Sequence, residues 1–240
     1  MSNIVAMWSG PRNISTAMMR AWENRSDSIV VDEPFYAHYL KHTGVDHPMR
    51  DRIVDYHENN LNKVIEQVQQ RPDTGVFYQK HISTHMLEHI PLDWLSEVNN
   101  LFLIRDPRYM VASYTAKRNE TTAADLGYSQ LQSLFEFASA LPGPAPLVID
   151  SRRFLEKPES YLQHICRYLG LEFQTSMLSW PAGSRDSDGI WHEHWYDSVK
   201  LSTSFGAPRT TLPELNTDQL ALADECMPHF EALNKYALIL

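Results

Sequence analysis

The sequence predicts an α/β fold in three layers, in which a parallel sheet of about five strands lies between helices. Short apolar runs alternate with longer segments of helical periodicity along its 240 residues, as is typical of strands joined by crossover helices. The first apolar run passes through Ser9-Gly10-Pro11 directly into a helical segment. A strand, a tight loop and a helix start form a phosphate-binding loop, so the predicted fold is of the P-loop type.

The strands are predicted from short apolar runs, and the helices from periodicity and stop signals such as Gly170. The predicted strands are Ile4–Trp8, Ser28–Asp32, Val76–Lys80, Asn100–Ile104 and Leu147–Ile149. The predicted helices run from Ser15 to about Arg25, over Asn60–Gln70, onward from Pro107, from about Ala124 to Ala140, over Pro158–Leu169 and over Thr217–Tyr236, the last broken or kinked near Pro228.

We expect a single domain over residues 1–240, with residues 179–213 as a capping or lid region. Regular periodicity fades in that segment, while aromatic, histidine and glycine residues accumulate. Long segments without secondary structure are uncommon in compact domains unless they serve a function.

The net charge of −9 disfavours binding to nucleic acid or to an anionic membrane, because both need a positive surface. Any anionic ligand must therefore be held by a local cluster of cations. The candidates for that cluster are Arg12, Arg105, Arg108, Lys117 and Arg118.

A cytoplasmic location is expected from three features of the sequence. Cys166 and Cys226 lie far apart without metal-like spacing, which indicates ordinary reduced thiols. Met1 leads almost directly into the first strand, which leaves no room for a signal peptide. No apolar run approaches the roughly 20 residues that a membrane span needs.

The loop after the first strand has one notable difference from the ATP-binding pattern GxxxxGK(S/T). No lysine stands beside Thr16, and the only cation of the loop, Arg12, lies four residues earlier. Free amides at the helix N-terminus still favour an anion. We therefore expect a phosphate-bearing ligand other than ATP, bound by Gly10, Pro11, Arg12, Asn13, Ser15 and Thr16; the alternative is a plain turn before a capped helix.

A second candidate site begins where the fourth predicted strand ends. Arg105 follows that strand, Asp106 and Pro107 predict a helix start, and Ser113 lies eight positions after the arginine. Ligands of doubly wound sheets gather at the carboxyl ends of strands. Arg105 and Ser113 are therefore expected to meet the same phosphate.

Together the two motifs resemble those of the sulfotransferase family, whose members use 3'-phosphoadenosine 5'-phosphosulfate as the sulfuryl donor. Pro11–Thr16 matches the family loop that binds the 5'-phosphosulfate, and Arg105–Ser113 matches the segment that binds the 3'-phosphate. Trp8–Thr16 together with Asp32–Tyr36 resembles a poorly characterised branch. The resemblance extends from Ile4 to about Leu171.

Two positions depart from the family pattern. Ile14 stands where glycine is common, and a β-branched residue resists a positive φ. Ile14 therefore predicts a slightly different path of the loop. Ala17 replaces a tryptophan that lies near the adenine in many members, so base stacking is expected from another residue.

The resemblance implies in-line transfer of a sulfuryl group to the hydroxyl of a small-molecule acceptor, with no metal required. Arg12 would stabilise charge on the bridging oxygen, and Arg209 would reach the 3'-phosphate from a late loop. Glu33, at the end of the second strand, matches a glutamate that acts as base in some members.

The acceptor side leaves several alternatives open. Lys80 is expected to neutralise charge on the leaving phosphate, and His81 or His85 could replace Glu33 as the base. Glu33 could instead cap a turn or pair with an arginine, and either histidine could be a buried or surface imidazole. The residues predicted to be catalytic are Arg12, Glu33, Lys80 and His85.

The segment Trp191–Tyr196 contains His192, Glu193 and His194. It is interpreted as a wall or lid of the acceptor pocket, with a metal site as the alternative. The aromatic content here and near Phe35–His42 favours a small acceptor over a polymer.

Two other functions remain open at this point. An ATP-dependent small-molecule kinase would need the missing loop lysine. A catalytically silent nucleotide-binding domain would keep the fold without turnover. The sequence does not predict an oligomeric state.

Overall fold

The fold centres on a parallel sheet whose five strands follow the order β2-β3-β1-β4-β5. The computed structural model describes residues 3–73, 75–118 and 120–240; Met1, on which the expectation about a signal peptide rests, lies outside them. The strands are β1 (Asn3–Ser9), β2 (Ser28–Asp32), β3 (Val76–Ile82), β4 (Asn99–Ile104) and β5 (Leu147–Asp150). The predicted α/β fold is confirmed, because helices flank this sheet on both faces.

The strand register brings the candidate motifs to one edge of the sheet. At the end of β1, Ser9 pairs with Ile82 of β3 and Leu103 of β4. At the end of β2, Asp32 pairs with Lys80. The segments that follow Ser9, Asp32 and Leu103 therefore leave the sheet side by side, as expected for ligand-binding loops.

The helices agree with most of the predicted segments. Asp106 caps α5 with Pro107 at its first position, as predicted, and Asn216 forms a capping box with Gln219 at the start of α12. The helices are α1 (Ser15–Glu23), α2 (Tyr36–Thr43), α3 (Arg50–Tyr56), α4 (Leu61–Gln69), α5 (Pro107–Thr115), α6 (Ala123–Leu126), α7 (Tyr128–Ala140), α8 (Ser151–Glu156), α9 (Pro158–Tyr168), α10 (His192–Trp195), α11 (Asp197–Lys200) and α12 (Thr217–Asn234).

The sequence predicts no helix at α2 or α3, and three other elements also differ from the prediction. The helical stretch from Ala124 to Ala140 divides into α6 and α7, because Gly127 takes a left-handed φ of 67°. Pro228 lies inside α12 without ending it. The segment 179–213 contains the short helices α10 and α11 and a bridge between Ser179 and Ser204.

Two layers of core side chains cover the two faces of the sheet, and β1 contributes alternately to both. Trp8 packs in one layer with Phe102, whereas Met7 packs in the other with Tyr78. The two free cysteines are buried, Cys226 in the first layer and Cys166 in the second. Their burial agrees with ordinary thiols, and their reduced state stays a prediction.

Close packing explains the glycine that follows β1. A Cβ atom on Gly10 would lie 2.8 Å from the Leu126 carbonyl oxygen and 2.8 Å from the terminal carbon of Met110. We expect Gly10→Ala to lower the free energy of unfolding by about 1–3 kcal/mol, the usual cost of overpacking. Chemical denaturation measures this change.

Gly206→Ala is the matched control for that measurement, because its Cβ would meet no atom within 4 Å. We expect it to change stability by less than about 0.5 kcal/mol. Equal destabilisation by both substitutions would contradict the packing argument.

Within residues 3–73, 75–118 and 120–240, no helix combines the length and the apolar character that crossing a bilayer requires.

Candidate active site

A cavity of about 380 Å³ opens at the carboxyl edge of the sheet. Of the residues predicted to be catalytic or to bind the donor, Gly10, which is buried directly after β1, does not line the cavity. The other predicted residues on its wall are Pro11, Arg12, Asn13, Ser15, Thr16, Glu33, Lys80, His85, Arg105, Ser113 and Arg209. The fold thus brings together segments that lie far apart in the sequence.

The loop between β1 and α1 is fixed by Asn13. Its side-chain amide donates to the Leu103 carbonyl oxygen at 3.0 Å, and its side-chain oxygen accepts from the Ile14 amide at 2.8 Å. No side chain caps the start of α1, so its first-turn amides face the cavity without a capping partner. Ile14 has a φ of −82°, and the positive φ of the loop, 54°, lies at Arg12 instead.

Arg12 joins the two predicted phosphate motifs. Its Nε donates to Ser113 Oγ at 3.1 Å, and its Nη1 donates to the Trp195 carbonyl oxygen at 3.2 Å. Its own carbonyl oxygen accepts a hydrogen bond from Arg105 Nη1. The two guanidinium groups therefore lie on the same wall of the cavity.

The arginines that line the cavity have no close carboxylate partner in the part of the chain that the structure describes. Within the described residues, neither Arg12 nor Arg105 nor Arg209 has a carboxylate oxygen within 4.0 Å. Burial lowers the pKa of Arg12 and of Arg105, and the charges of Arg209 and Arg12 lower the pKa of Arg105 further. Partly buried, mutually repelling cations of this kind are stabilised by a bound anion.

Three of the five predicted cluster cations lie elsewhere. Arg108 forms two hydrogen bonds with the Asp106 carboxylate, and Lys117 pairs with Asp197 at 2.9 Å. Neither these two nor Arg118 lines the cavity. Arg108 and Lys117 are absent from the predicted cluster because the carboxylates of Asp106 and Asp197 bind them.

A buried ionic network occupies the other end of the cavity. The Lys80 ammonium donates to Asp32 Oδ1 at 2.8 Å, to the Tyr196 hydroxyl at 2.7 Å and to Glu33 Oε1. The Tyr196 hydroxyl donates in turn to Asp32 Oδ2 at 2.6 Å. Through these two hydrogen bonds, Tyr196 connects the segment 179–213 to β2 and β3.

This network shifts the proton affinity of its members. Burial raises the pKa of Glu33 to about 7, with Lys80 opposing the rise and Asp32 adding to it. Burial alone would lower the pKa of Lys80, but the charges of Asp32 and Glu33 raise it well above its ordinary value. Glu33 also has a φ of 45°, a left-handed conformation that is uncommon for residues other than glycine and concentrates at functional sites.

The two candidate histidines after β3 have different surroundings. His85 lines the cavity, its Nδ1 lies 3.9 Å from Glu33 Oε2, and its ring stacks on Tyr36 with centroids 4.4 Å apart. Burial lowers the pKa of His85 well below its ordinary value. His81 instead stacks on Trp8 in the core, with its ring centroid 4.3 Å away, and does not line the cavity. The structure therefore favours the buried-imidazole alternative for His81.

The segment Trp191–Tyr196 contributes to the cavity wall through Trp195 and Tyr196. The metal alternative gains no support in the described part of the chain, because the Glu193 carboxylate is bound by Arg52 at 3.0 and 3.2 Å.

The wall residues His47, Tyr114 and Asp125 did not emerge from the sequence, and neither did Asp32, which binds Lys80 without lining the cavity. Two features would have indicated a site role for Asp32. It directly precedes Glu33, and it pairs with Lys80 in the adjacent strand. His47 lies in the connection between α2 and α3, whose path no periodicity fixes, whereas Asp125 belongs to the short helix α6.

Fold and site together define a phosphate-loop α/β protein whose cavity suits a polyanionic ligand. A family model described as "Sulfotransferase domain" matches residues 2–237. The chain therefore belongs to the sulfotransferase-domain family, as the resemblance of its motifs predicts, and sulfuryl transfer is the general activity that this membership supports.

Two curated relatives come from Arabidopsis thaliana. "Branched-chain-amino-acid aminotransferase-like protein 2" is 33% identical over 234 residues, which are 96% of this chain and 41% of that protein. "Branched-chain-amino-acid aminotransferase-like protein 1" is 34% identical over 234 residues, 97% of this chain and 42% of that protein. The chain thus spans about two fifths of the length of these relatives.

Similar solved structures share the fold. The "Sulfotransferase Domain from the Curacin Biosynthetic Pathway" superposes with a TM-score of 0.53 at 14% identity, covering 95% of this chain and 98% of that one. Mouse sulfotransferase SULT7A1 complexed with PAP superposes with a TM-score of 0.57 at 14% identity, covering 98% of this chain and 90% of that one.

Proposed function

We propose that this chain transfers a sulfuryl group from 3'-phosphoadenosine 5'-phosphosulfate to a hydroxyl of a small-molecule acceptor. Family membership supports the transfer, and the PAP bound to the mouse neighbour supports the donor. The observation that carries the proposal is that Arg12 and Arg105 line one cavity, joined by the hydrogen bond from the Arg105 guanidinium to the Arg12 carbonyl oxygen. Among the described residues, neither arginine has a carboxylate partner. A donor with phosphate at both ends of its ribose matches such a pair.

The donor would lie along the wall built by the two motifs. The free amides at the start of α1, with Ser15 and Thr16, would hold the 5'-phosphate. Arg105, Ser113 and Arg209 would hold the 3'-phosphate. Arg12 lies between the motifs, within 3.1 Å of Ser113 Oγ, and would stabilise charge on the oxygen that bridges phosphorus and sulfur.

The reaction would be an in-line displacement at sulfur. Glu33 Oε2 accepts the proton of the acceptor hydroxyl while the acceptor oxygen forms its bond to sulfur. The bond between sulfur and the bridging oxygen breaks, and its electron pair stays on the 5'-phosphate. The products are a sulfate ester and 3'-phosphoadenosine 5'-phosphate. Guanidinium groups and helix amides supply the charge stabilisation, so these steps call on no metal.

Lys80 would position Glu33 rather than neutralise the leaving phosphate. An ammonium has three hydrogens, and those of Lys80 are directed to Asp32, Glu33 and Tyr196. His85 would be neutral, because burial depresses its pKa, and would orient the acceptor hydroxyl beside Glu33 as a hydrogen-bonding partner.

The acceptor side of the cavity favours a small molecule with a flat apolar body. Aromatic rings of Tyr36, Tyr39 and Trp195 line it, while Glu33 and His85 supply the polar contacts. Pockets of this kind bind small ligands through apolar walls and few polar groups. We propose neither nucleic acid nor a membrane surface as a partner. A cytoplasmic location remains our prediction from the unpaired, buried cysteines.

Transfer of radiolabelled sulfate from the donor to a pool of hydroxylated metabolites tests this function. Incorporation of label into organic products is expected with the donor, and none of the γ-phosphate label of ATP should be transferred. Phosphate transfer from ATP would favour the kinase alternative. Binding of 3'-phosphoadenosine 5'-phosphate without sulfate transfer to any acceptor class would favour the silent domain.

The pKa of Glu33 predicts the pH dependence of the reaction. A base must be deprotonated, and burial raises the pKa of this carboxyl to about 7. We therefore expect kcat/KM to rise as the pH rises through about 7 and to level off above it, since kcat/KM reports groups of the free enzyme. A pH profile between 5 and 9 measures this; an activity that falls through this range would contradict Glu33 as the base.

A further inference from the structure

Three histidine side chains converge outside the cavity described above. His38 and His42 belong to α2, and His89 lies beyond the short 3-10 helix Ser83–His85 that follows β3. One ring nitrogen of each lies within 4.8 Å of those of the other two. We propose that His38, His42 and His89 form a binding site for a zinc ion, which requires neither the sulfuryl donor nor an acceptor.

The spacing on α2 is suited to a shared ligand. Residues four apart on a helix lie on the same face, so His38 and His42 point in one direction from the helix. The ring centroids of His42 and His89 are 4.2 Å apart, and those of His38 and His89 are 5.3 Å apart. His89 therefore faces both helix residues from a separate segment.

The tautomer of His38 is set by its surroundings. Its Nδ1 lies 3.1 Å from the Asn59 carbonyl oxygen; because a carbonyl only accepts, Nδ1 carries the hydrogen and Nε2 presents its lone pair. That Nε2 lies 3.0 Å from His89 Nε2. A carbonyl behind a ligating imidazole is the usual support of a metal-bound histidine.

The support itself is held in place. Asn59 donates from its side-chain amide to the Val54 carbonyl at 2.8 Å and accepts from Lys41 at 2.7 Å. His38 is 8% exposed, whereas His42 and His89 are exposed. One ligand is thus anchored, and the other two have room to adjust.

The distances and the ligand type fit zinc. Zinc–nitrogen bonds of about 2.0–2.1 Å in tetrahedral geometry place the ligand nitrogens about 3.3 Å apart. In this cluster the Nε2 atoms of His38 and His89 are 3.0 Å apart, and all three ligand nitrogens lie within 4.8 Å of one another. Neutral imidazole suits zinc and its neighbours among the transition metals, not calcium or magnesium. Three protein ligands leave a fourth position for water.

A metal here would connect two walls of the cavity. The helix α2 carries Tyr36 and Tyr39, and the segment before His89 carries His85, all of which line the cavity. Bound zinc would therefore restrict the movement of α2 relative to the segment before His89 on the acceptor side of the cavity. A ligand that binds only the folded state raises the midpoint of thermal unfolding, so zinc should do so here.

The test is competition between the metal-stripped protein and a chromophoric chelator for Zn²⁺. We expect one equivalent to bind, and we expect His42→Ala/His89→Ala to lower the affinity by about 100-fold or more, since loss of an outer-shell partner alone costs 10–100-fold. The matched control is His192→Ala/His194→Ala, which removes the other histidine pair and should bind as the parent does. Thermal melts are expected to rise with Zn²⁺ for the parent and the control only.

Both substituted residues of the test variant are exposed, and its circular dichroism without metal verifies that it folds. The proposal is overturned if the parent binds no Zn²⁺, if the test variant binds as tightly as the parent, or if the control loses binding instead. None of these readouts depends on sulfuryl transfer, so they separate this site from the proposed activity.

Discussion

Glu33→Gln is expected to lower kcat for sulfuryl transfer by about 10²–10⁴-fold, the usual contribution of a general base. The amide keeps the size of the side chain and an oxygen that accepts from Lys80, but it cannot take a proton. Steady-state kinetics at saturating donor measures kcat. Binding of 3'-phosphoadenosine 5'-phosphate should change little, because Glu33 lies on the acceptor side.

The matched control is Glu97→Gln, which makes the same chemical change at an exposed carboxylate paired with Arg71. Its kcat should equal that of the parent. A Glu33→Gln protein that turns over within about threefold of the parent would remove Glu33 from the proposed mechanism, and retained nucleotide binding would exclude misfolding as a cause of any loss.

Arg12→Ala is expected to lower kcat/KM by about 10²–10³-fold, as does the loss of a donor that stabilises charge in the transition state. Arg12 donates to both Ser113 and the Trp195 carbonyl oxygen, so its guanidinium is held in one position on the cavity wall, where we propose that it meets the bridging oxygen. Arg12→Lys should recover only part of the loss, since lysine keeps the charge without the planar fork.

Arg71→Ala is the control for Arg12→Ala, because Arg71 is exposed and pairs with Glu97 away from the cavity. It should leave kcat/KM unchanged. Transfer by the Arg12→Ala protein at the parent rate would exclude the proposed donor site, whatever the effect of Glu33.

The strands were predictable because each is a short apolar run with clear limits. Ser28–Asp32 agrees with the structure at both ends, since Pro34 and the polar residues before Ser28 bound it. The helix α3 buries only Ile53, so it leaves no apolar periodicity to detect. In α2, aromatic and histidine residues occupy four of the eight positions, so the apolar face is not evident from the sequence.

The placement of Arg12 and Arg105 beside one cavity was predictable in the same way, because Arg105 directly follows β4 and Arg12 lies three residues after β1. The acceptor side depends on pairings between distant residues. Lys80 meets Asp32 through the register of two strands, and Tyr196 reaches both from a connection more than 100 residues later. No spacing in the sequence encodes that contact, and the role that we now propose for Lys80 follows from its three acceptors.

Calorimetric titration with 3'-phosphoadenosine 5'-phosphate, 5'-adenylate and ATP·Mg measures whether the cavity binds a nucleotide through its 3'-phosphate at Arg105. We expect the bisphosphate to bind about 100-fold more tightly than 5'-adenylate, because charge-assisted contacts to the additional 3'-phosphate allow such a difference. Arg105→Ala should remove this preference. Tighter binding of ATP·Mg than of the bisphosphate, or a preference for the 3'-phosphate that survives Arg105→Ala, would contradict this expectation.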